Sequence, residues 1–180
     1  MRLFKKGMAA FVAACVLSVV SYALALDNGG VRYPEGFRLF DHVKSMIVEP
    51  GFIFNGQDLG SQVPGLHHIY GNKKAMEGYR ALKAAGPDQV VFEEGSKIVF
   101  DLWQTADVVS GGTAVVENKR LAVAVMEKDQ VRFAATGGWG FQVFDAVTKK
   151  PLLDANAQAN CFQCHTLAAG SDFVLSRLRD

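Results

Sequence analysis

Cysteine is scarce in this chain, with three among 180 residues, and the scarcity limits the available chemistry. Cys161 and Cys164 lie close together and Cys15 stands far away. A framework of structural disulfides is excluded, because two cysteines so near in sequence cannot staple a useful loop. A structural zinc centre would need two further ligands in a second paired cluster. Cys15, His42, His67 and His68 do not form one. Charge is nearly balanced, with 19 basic and 18 acidic residues and a net charge of +1. The basic residues are dispersed, so the chain carries no nucleic-acid footprint. Repeats and low-complexity tracts are absent. Beyond the N-terminus there is no second long apolar run, which predicts a soluble mature protein.

What is present is Cys161-Phe162-Gln163-Cys164-His165, the pattern for covalent attachment of a c-type haem. The two thiols form thioethers to the porphyrin vinyl groups, and the adjacent histidine ligates the iron. A thioredoxin-like redox pair would follow a strand at a helix start. This motif lies near the C-terminus with no strand predicted after it.

The N-terminus supplies a compartment in which such attachment happens. Arg2, Lys5 and Lys6 form a positive region, and Met8 to Tyr22 is apolar. Ala23-Leu24-Ala25 offers small residues to a signal peptidase, so residues 1–25 read as a signal peptide directing export to the periplasm. An uncleaved anchor would have a short span for a bilayer. Lipidation at Cys15 is the other alternative, after Val12-Ala13-Ala14. Cleavage leaves about 155 residues, enough for one domain with its own core. Residues 26–32 form a polar lead and 33–180 the domain.

Along the domain, Gly36 to Asp41 reads as a short helix and His42 to Val48 as a strand. Phe52 to Pro64 reads as an irregular loop. Gly65 to Tyr70 is a second strand. Asn72 caps a helix over Lys73 to Ala85, stopped by Gly86-Pro87. Lys97 to Trp103 is rich in β-branched and aromatic residues. After a glycine turn at Ser110 to Gly112, Thr113 to Glu117 and Arg120 to Lys128 read as a hairpin-like return. Lys128 to Phe133 suggests a short helical turn, and Gly137 to Phe144 a last strand whose glycines mark a bulge or close approach. Ala155 to Leu167 is helical and carries the haem motif, and Asp172 to Arg179 follows as further helix. The expected fold class is α+β and sheet-dominated: an antiparallel sheet with flanking helices and a C-terminal haem-bearing segment.

An ordered set of segments carries a family resemblance. Tyr33-Pro34-Glu35-Gly36, Leu66-His67-His68-Ile69-Tyr70, Glu94-Gly95-Ser96, Arg132-Phe133-Ala134, Gly138-Trp139-Gly140-Phe141, the haem motif and Ser176-Arg177 together resemble the cytochrome P460 domain. The resemblance runs from about Tyr33 to Arg179. It implies one haem c against an antiparallel sheet, usually in a homodimer. Enzymes of this family oxidise hydroxylamine with a lysine cross-linked to the haem and a distal carboxylate. The related cytochromes c′-β have an apolar distal side and bind nitric oxide.

Matched to the family turn, Phe100 falls where the cross-linking lysine is expected, and Lys97 lies on the opposite face. Ala124 falls where the distal carboxylate is expected. Leu121, Val123 and Val125 alternate with Ala122 and Ala124, so one face is bulky and the other small enough for a flat macrocycle. Without the resemblance, these alanines could equally face a helix, and Phe100 would read as a core residue. His67 and His68 point to opposite strand faces, so at most one faces the haem. That one could be a sixth ligand, a propionate partner or a structural residue. Met126 is a further candidate ligand, while Tyr70 and Trp139 read as packing residues. Arg177 could pair a propionate, stand beside His165, or be a surface charge.

The expectation is therefore a monohaem cytochrome: Cys161 and Cys164 hold the haem, His165 is the axial ligand, and Phe100, Ala124, His67 and Arg177 line the pocket. Its partner would be a small gas, nitric oxide or carbon monoxide, with a redox partner protein possible. The rival readings are an oxidase of hydroxylamine or nitric oxide and a plain electron-transfer module.

Overall fold

The computed structural model describes residues 30–54, 56–88, 90–107 and 114–180. The expected signal peptide, most of the polar lead and the Ser110 to Gly112 turn lie outside the described residues. Five antiparallel strands form the main sheet in the order β1-β4-β5-β6-β7. They are β1 (Asp41–Val48), β4 (Gly65–Gly71), β5 (Lys97–Asp107), β6 (Val115–Lys128) and β7 (Trp139–Asp145). Two short strands, β2 (Ile53–Phe54) and β3 (Gln57–Asp58), pair within the segment expected to be an irregular loop. Helix α1 (Lys73–Ala85) and helix α2 (Ala155–His165) complete the α+β fold, together with three 3-10 segments.

Helix α1 forms as its sequence dictates. Asn72 Oδ1 accepts from the Ala75 N–H at 3.0 Å, an N-cap, and also from the Lys97 N–H at 3.0 Å. Its side-chain amide donates to the Gly95 carbonyl, so one residue starts the helix and fixes the entry to β5. Ala75, Met76, Tyr79 and Leu82 are buried at helical spacing. A methyl group at Gly78 would run into the Phe92 ring, which explains a glycine in the helix interior.

Strand β6 is longer than expected. From Val115 onward the two expected segments are joined into one strand through Lys128 (Thr113 lies outside the described residues), and β6 pairs with β5 from Lys97↔Glu127 to Asp107↔Val115. Register shifts around Trp103 absorb the irregularity, so the polar Asn118-Lys119 step needs no turn. At the N-terminal end, the short helix over Gly36 to Asp41 is a single 3-10 turn, Phe37–Leu39, behind a left-handed Gly36.

The helix expected over Asp172 to Arg179 does not form. Asp172 and Phe173 both adopt left-handed φ values, 50° and 64°, which ends the 3-10 segment Thr166–Ser171. Beyond them Val174 and Ser176 are buried and Arg177 is exposed. The tail is tied down by a 2.5 Å hydrogen bond between Tyr79 Oη and Ser176 Oγ and by Arg179 N–H to the Val43 carbonyl. Val174 and Leu178, four apart, satisfy a period of two as well as one of 3.6, so the pattern was ambiguous.

Alternation on the strands divides the core into two clusters. On one face Val99, Val123, Val125 and Phe144 pack with Val31 and Phe37. On the other, Ile69, Ile98, Met126 and Phe141 pack with α1 residues and Val174.

Candidate haem site

The site lies on that second face. Register places Ile69, Phe100, Ala124 and Val143 side by side across four strands. The next row toward one end is His67, Leu102 and Ala122, and the next toward the other is Ile98, Met126 and Phe141. The two rows differ in how they are closed. Ile98, Met126 and Phe141 are buried. Phe100, Leu102, Ala122 and Ala124 are only half-buried although they sit on central strands, and Val143 on the edge strand β7 is half-buried beside them. Small alanines flanked by larger apolar groups make a shallow, flat apolar bed, the shape a macrocycle needs. Cys161 and Phe162 of α2 pack against the same cluster as Phe100.

Helix α2 begins at Asp154, whose carboxylate accepts from the Ala157 N–H at 2.9 Å. It ends at His165, so the three residues of the motif lie on its last two turns. Cys161 and Cys164 are free thiols. Burial, and secondarily Cys164, pushes the Cys161 thiol above its usual range, so it stays protonated. Cys164 Sγ lies 4.0 Å from Gln62 Oε1, which brings the segment before β4 to the motif.

His165 stacks against Phe141, with ring centroids 4.8 Å apart. Its Nδ1 is 2.8 Å from the Phe173 carbonyl. A carbonyl only accepts, so Nδ1 carries the proton and Nε2 keeps its lone pair. Burial holds the imidazole pKa below its ordinary value, outweighing the carbonyl's opposite effect. Neutral, oriented and with Nε2 unprotonated, it has the form that ligates a metal.

The other expected residues are placed as follows. His67 is buried on the haem-facing side, its Nε2 2.8 Å from the Val63 carbonyl and its ring edge-on to Phe100 at 6.4 Å. Burial lowers its pKa as well. His68 faces the other way, bonded to Ser45 Oγ at 2.7 Å and Glu117 at 3.3 Å. Lys97 also lies opposite Phe100, 3.6 Å from Glu127. Met126 and Trp139 are core residues. Arg177 uses its guanidinium on its own segment, donating to the Val174, Leu175 and Ser176 carbonyls and to Ser171 Oγ.

Sequence reasoning missed Phe141 as the ring against His165, and missed the Phe173 carbonyl entirely. A backbone oxygen leaves no mark in a sequence. Phe141 had one available signal, its register beside Met126 on a strand ending in glycines.

These residues fit a covalently attached haem: two free thiols one helical turn apart, a neutral imidazole behind them, and a half-open apolar bed on the sheet. They define a haem-binding α+β domain of the c type. Residues 34–176 match the Cytochrome P460 family, and the chain belongs to it. It is therefore a haem protein of that family. No curated protein matches it closely enough to count as a relative.

Proposed function

We propose that this chain is an exported monohaem cytochrome whose distal side receives nitric oxide or carbon monoxide, rather than a hydroxylamine oxidase. In this reading Cys161 and Cys164 hold the haem, His165 is its axial ligand, and the haem supplies an iron with one face open to a diatomic gas. The observation that carries the proposal is the row Ile69, Phe100, Ala124 and Val143. Lysine and carboxylate are the groups the oxidising type needs, and neither occurs in that row.

The nearest acid in register is Asp145, opposite Ala122. Its carboxylate accepts from the Val147 and Thr148 N–H groups and from Thr148 Oγ. Those bonds, more than any charge, hold its pKa below the carboxylate range. A carboxylate so occupied is a poor general base. Phe100 would exclude water and anions from the iron, because an apolar edge offers no donor to them. The Nε2–H of His67 is committed to the Val63 carbonyl, so that nitrogen is not offered to the iron.

The first 25 residues would direct the chain to the periplasm, the family resemblance supports a homodimer, and a redox partner protein would reset the iron. Ferrous absorption spectra with and without nitric oxide test the gas-binding reading, which expects a spectral change on addition. A third covalent attachment in a haem-peptide digest, or steady-state hydroxylamine turnover with an electron acceptor, would overturn it. A low-spin ferric spectrum unmoved by nitric oxide would instead favour an electron carrier.

A further inference from the structure

Asp172 and Phe173 form two consecutive left-handed residues, neither of them glycine. Such a pair persists only where its surroundings hold it. What holds it is a buried ion pair. Lys128 Nζ lies 2.8 Å from Asp172 Oδ1 and 2.9 Å from Oδ2, with both side chains almost fully buried. Asp172 Oδ2 also accepts from the Phe92 N–H at 2.8 Å. Lys128 is fixed in turn by the Gly137 carbonyl at 3.2 Å and by the face of Trp139 at 5.0 Å. The Phe173 ring packs on Phe162 of the haem motif, with centroids 5.1 Å apart.

The residue aimed by this turn is Phe173, whose carbonyl receives the His165 Nδ1 proton. We propose that Lys128 and Asp172 are positioning residues for the axial ligand: they hold a strained turn whose carbonyl sets the tautomer, orientation and basicity of His165. This rests on His165 being the axial ligand, as proposed above. The chain of contact is short, from the end of β6 through one carboxylate and one peptide to the imidazole. A hydrogen bond from the outer nitrogen of a ligating imidazole raises its basicity. A more basic axial ligand favours the ferric state and strengthens the iron–nitrogen bond. A buried charge pair is also costly compared with apolar packing, so its presence here calls for a role beyond stability.

The test is resonance Raman spectroscopy of the ferrous holoprotein, reading the iron–imidazole stretch, together with the ferric/ferrous midpoint potential. The near-isosteric Asp172→Asn keeps a group able to accept from Phe92 but removes the charge facing Lys128. It is expected to lower the stretch frequency and raise the potential. Lys128→Met combined with Asp172→Leu replaces the pair by apolar side chains of similar volume, which restores stability where a pair is merely structural. The double variant is expected to fold and still to show both shifts. Wild-type frequency and potential in either folded variant would overturn the inference. Absence of any iron–imidazole stretch in the unmodified protein would instead remove a five-coordinate iron held by His165, and with it the proposed function.

Discussion

On one face of the sheet Asp101 is fully buried between two arginines, while its neighbour Phe100, on the other face, stays half-open. Arg38 Nη2 reaches Asp101 Oδ2 at 2.8 Å, and Arg120 Nε bonds its other oxygen. The hydrogen bond and charge of Asp101 raise the Arg38 pKa against the effect of burial. Both guanidinium groups also lie over the Trp103 ring, and Arg120 over Phe37. This face is closed by the chain's own segment from Val31 to Phe40, through Val31, Tyr33, Phe37 and Phe40. The opposite face is covered by α1, α2 and the C-terminal tail, yet Phe100, Ala122 and Ala124 on it stay half-buried. The difference divides the sheet: one side is sealed by the chain's own ion pairs and rings, and the other leaves apolar residues of its central strands half-open.

The largest effect is expected where the closed face is broken. Asp101→Ala leaves two arginines facing each other with their shared carboxylate gone. Breaking a buried pair in this way costs about 3–5 kcal/mol, and partial exposure of Arg38 places this case toward the lower end. Urea unfolding should show the loss as an earlier midpoint with an unchanged slope. The holoprotein that remains folded should keep its haem spectrum. A changed spectrum would mean that the two faces are coupled.

Phe100→Ala should behave in the opposite way. Full burial would put the cost of this change at about 3–5 kcal/mol. Phe100 is half-buried, so a loss nearer 1–2 kcal/mol is expected. Its effect on the site should be larger than on the fold: water or azide should reach the ferric iron and shift the absorption spectrum, where the unmodified protein resists both. An unchanged azide titration would remove Phe100 from the distal side.

Asn72→Ala sharpens the closed half of the haem-facing side. It removes the α1 N-cap together with the bonds to the Lys97 N–H and the Gly95 carbonyl. Loss of a cap alone costs about 1 kcal/mol. The other two bonds should carry this variant past that figure in thermal unfolding, while gas binding stays unaltered.

The fold was legible in the sequence wherever one period dominated. Lys73 to Ala85 had a cap, an apolar stripe and a glycine stop, and forms as read. The Ala122/Val123/Ala124/Val125 alternation correctly separated the two faces. The tail from Asp172 was misread because Val174 and Leu178 fit two periods, and because nothing local announces left-handed backbone at an aspartate and a phenylalanine. The partner that Asp172 meets there, Lys128, is far away in sequence. The haem motif was legible as three residues. The carbonyl that orients His165 was not, since it depends on that same tail.

The smallest expected effect is a loss of stability in mild acid, and it compares the two faces directly. His67 on the haem-facing side and His42 on β1 both have pKa values lowered by burial first. For His42 the Arg179 guanidinium adds to the effect, followed by His68. The groups around His42 are Ser45 Oγ at 2.9 Å, the Tyr70 ring and Arg179 on its Nδ1. Since folding depresses both values, the unfolded chain takes up protons first as pH falls. Their contribution is therefore complete above the ordinary histidine value of about 6.5 and declines as pH drops from there toward the lowered values. His67→Gln keeps a donor for the Val63 carbonyl but cannot titrate, so it should flatten the decline that sets in below about pH 6.5. His42→Gln should flatten it less, because His42 is the less buried of the two. Equal flattening by both would show that Arg179, rather than burial, dominates at His42.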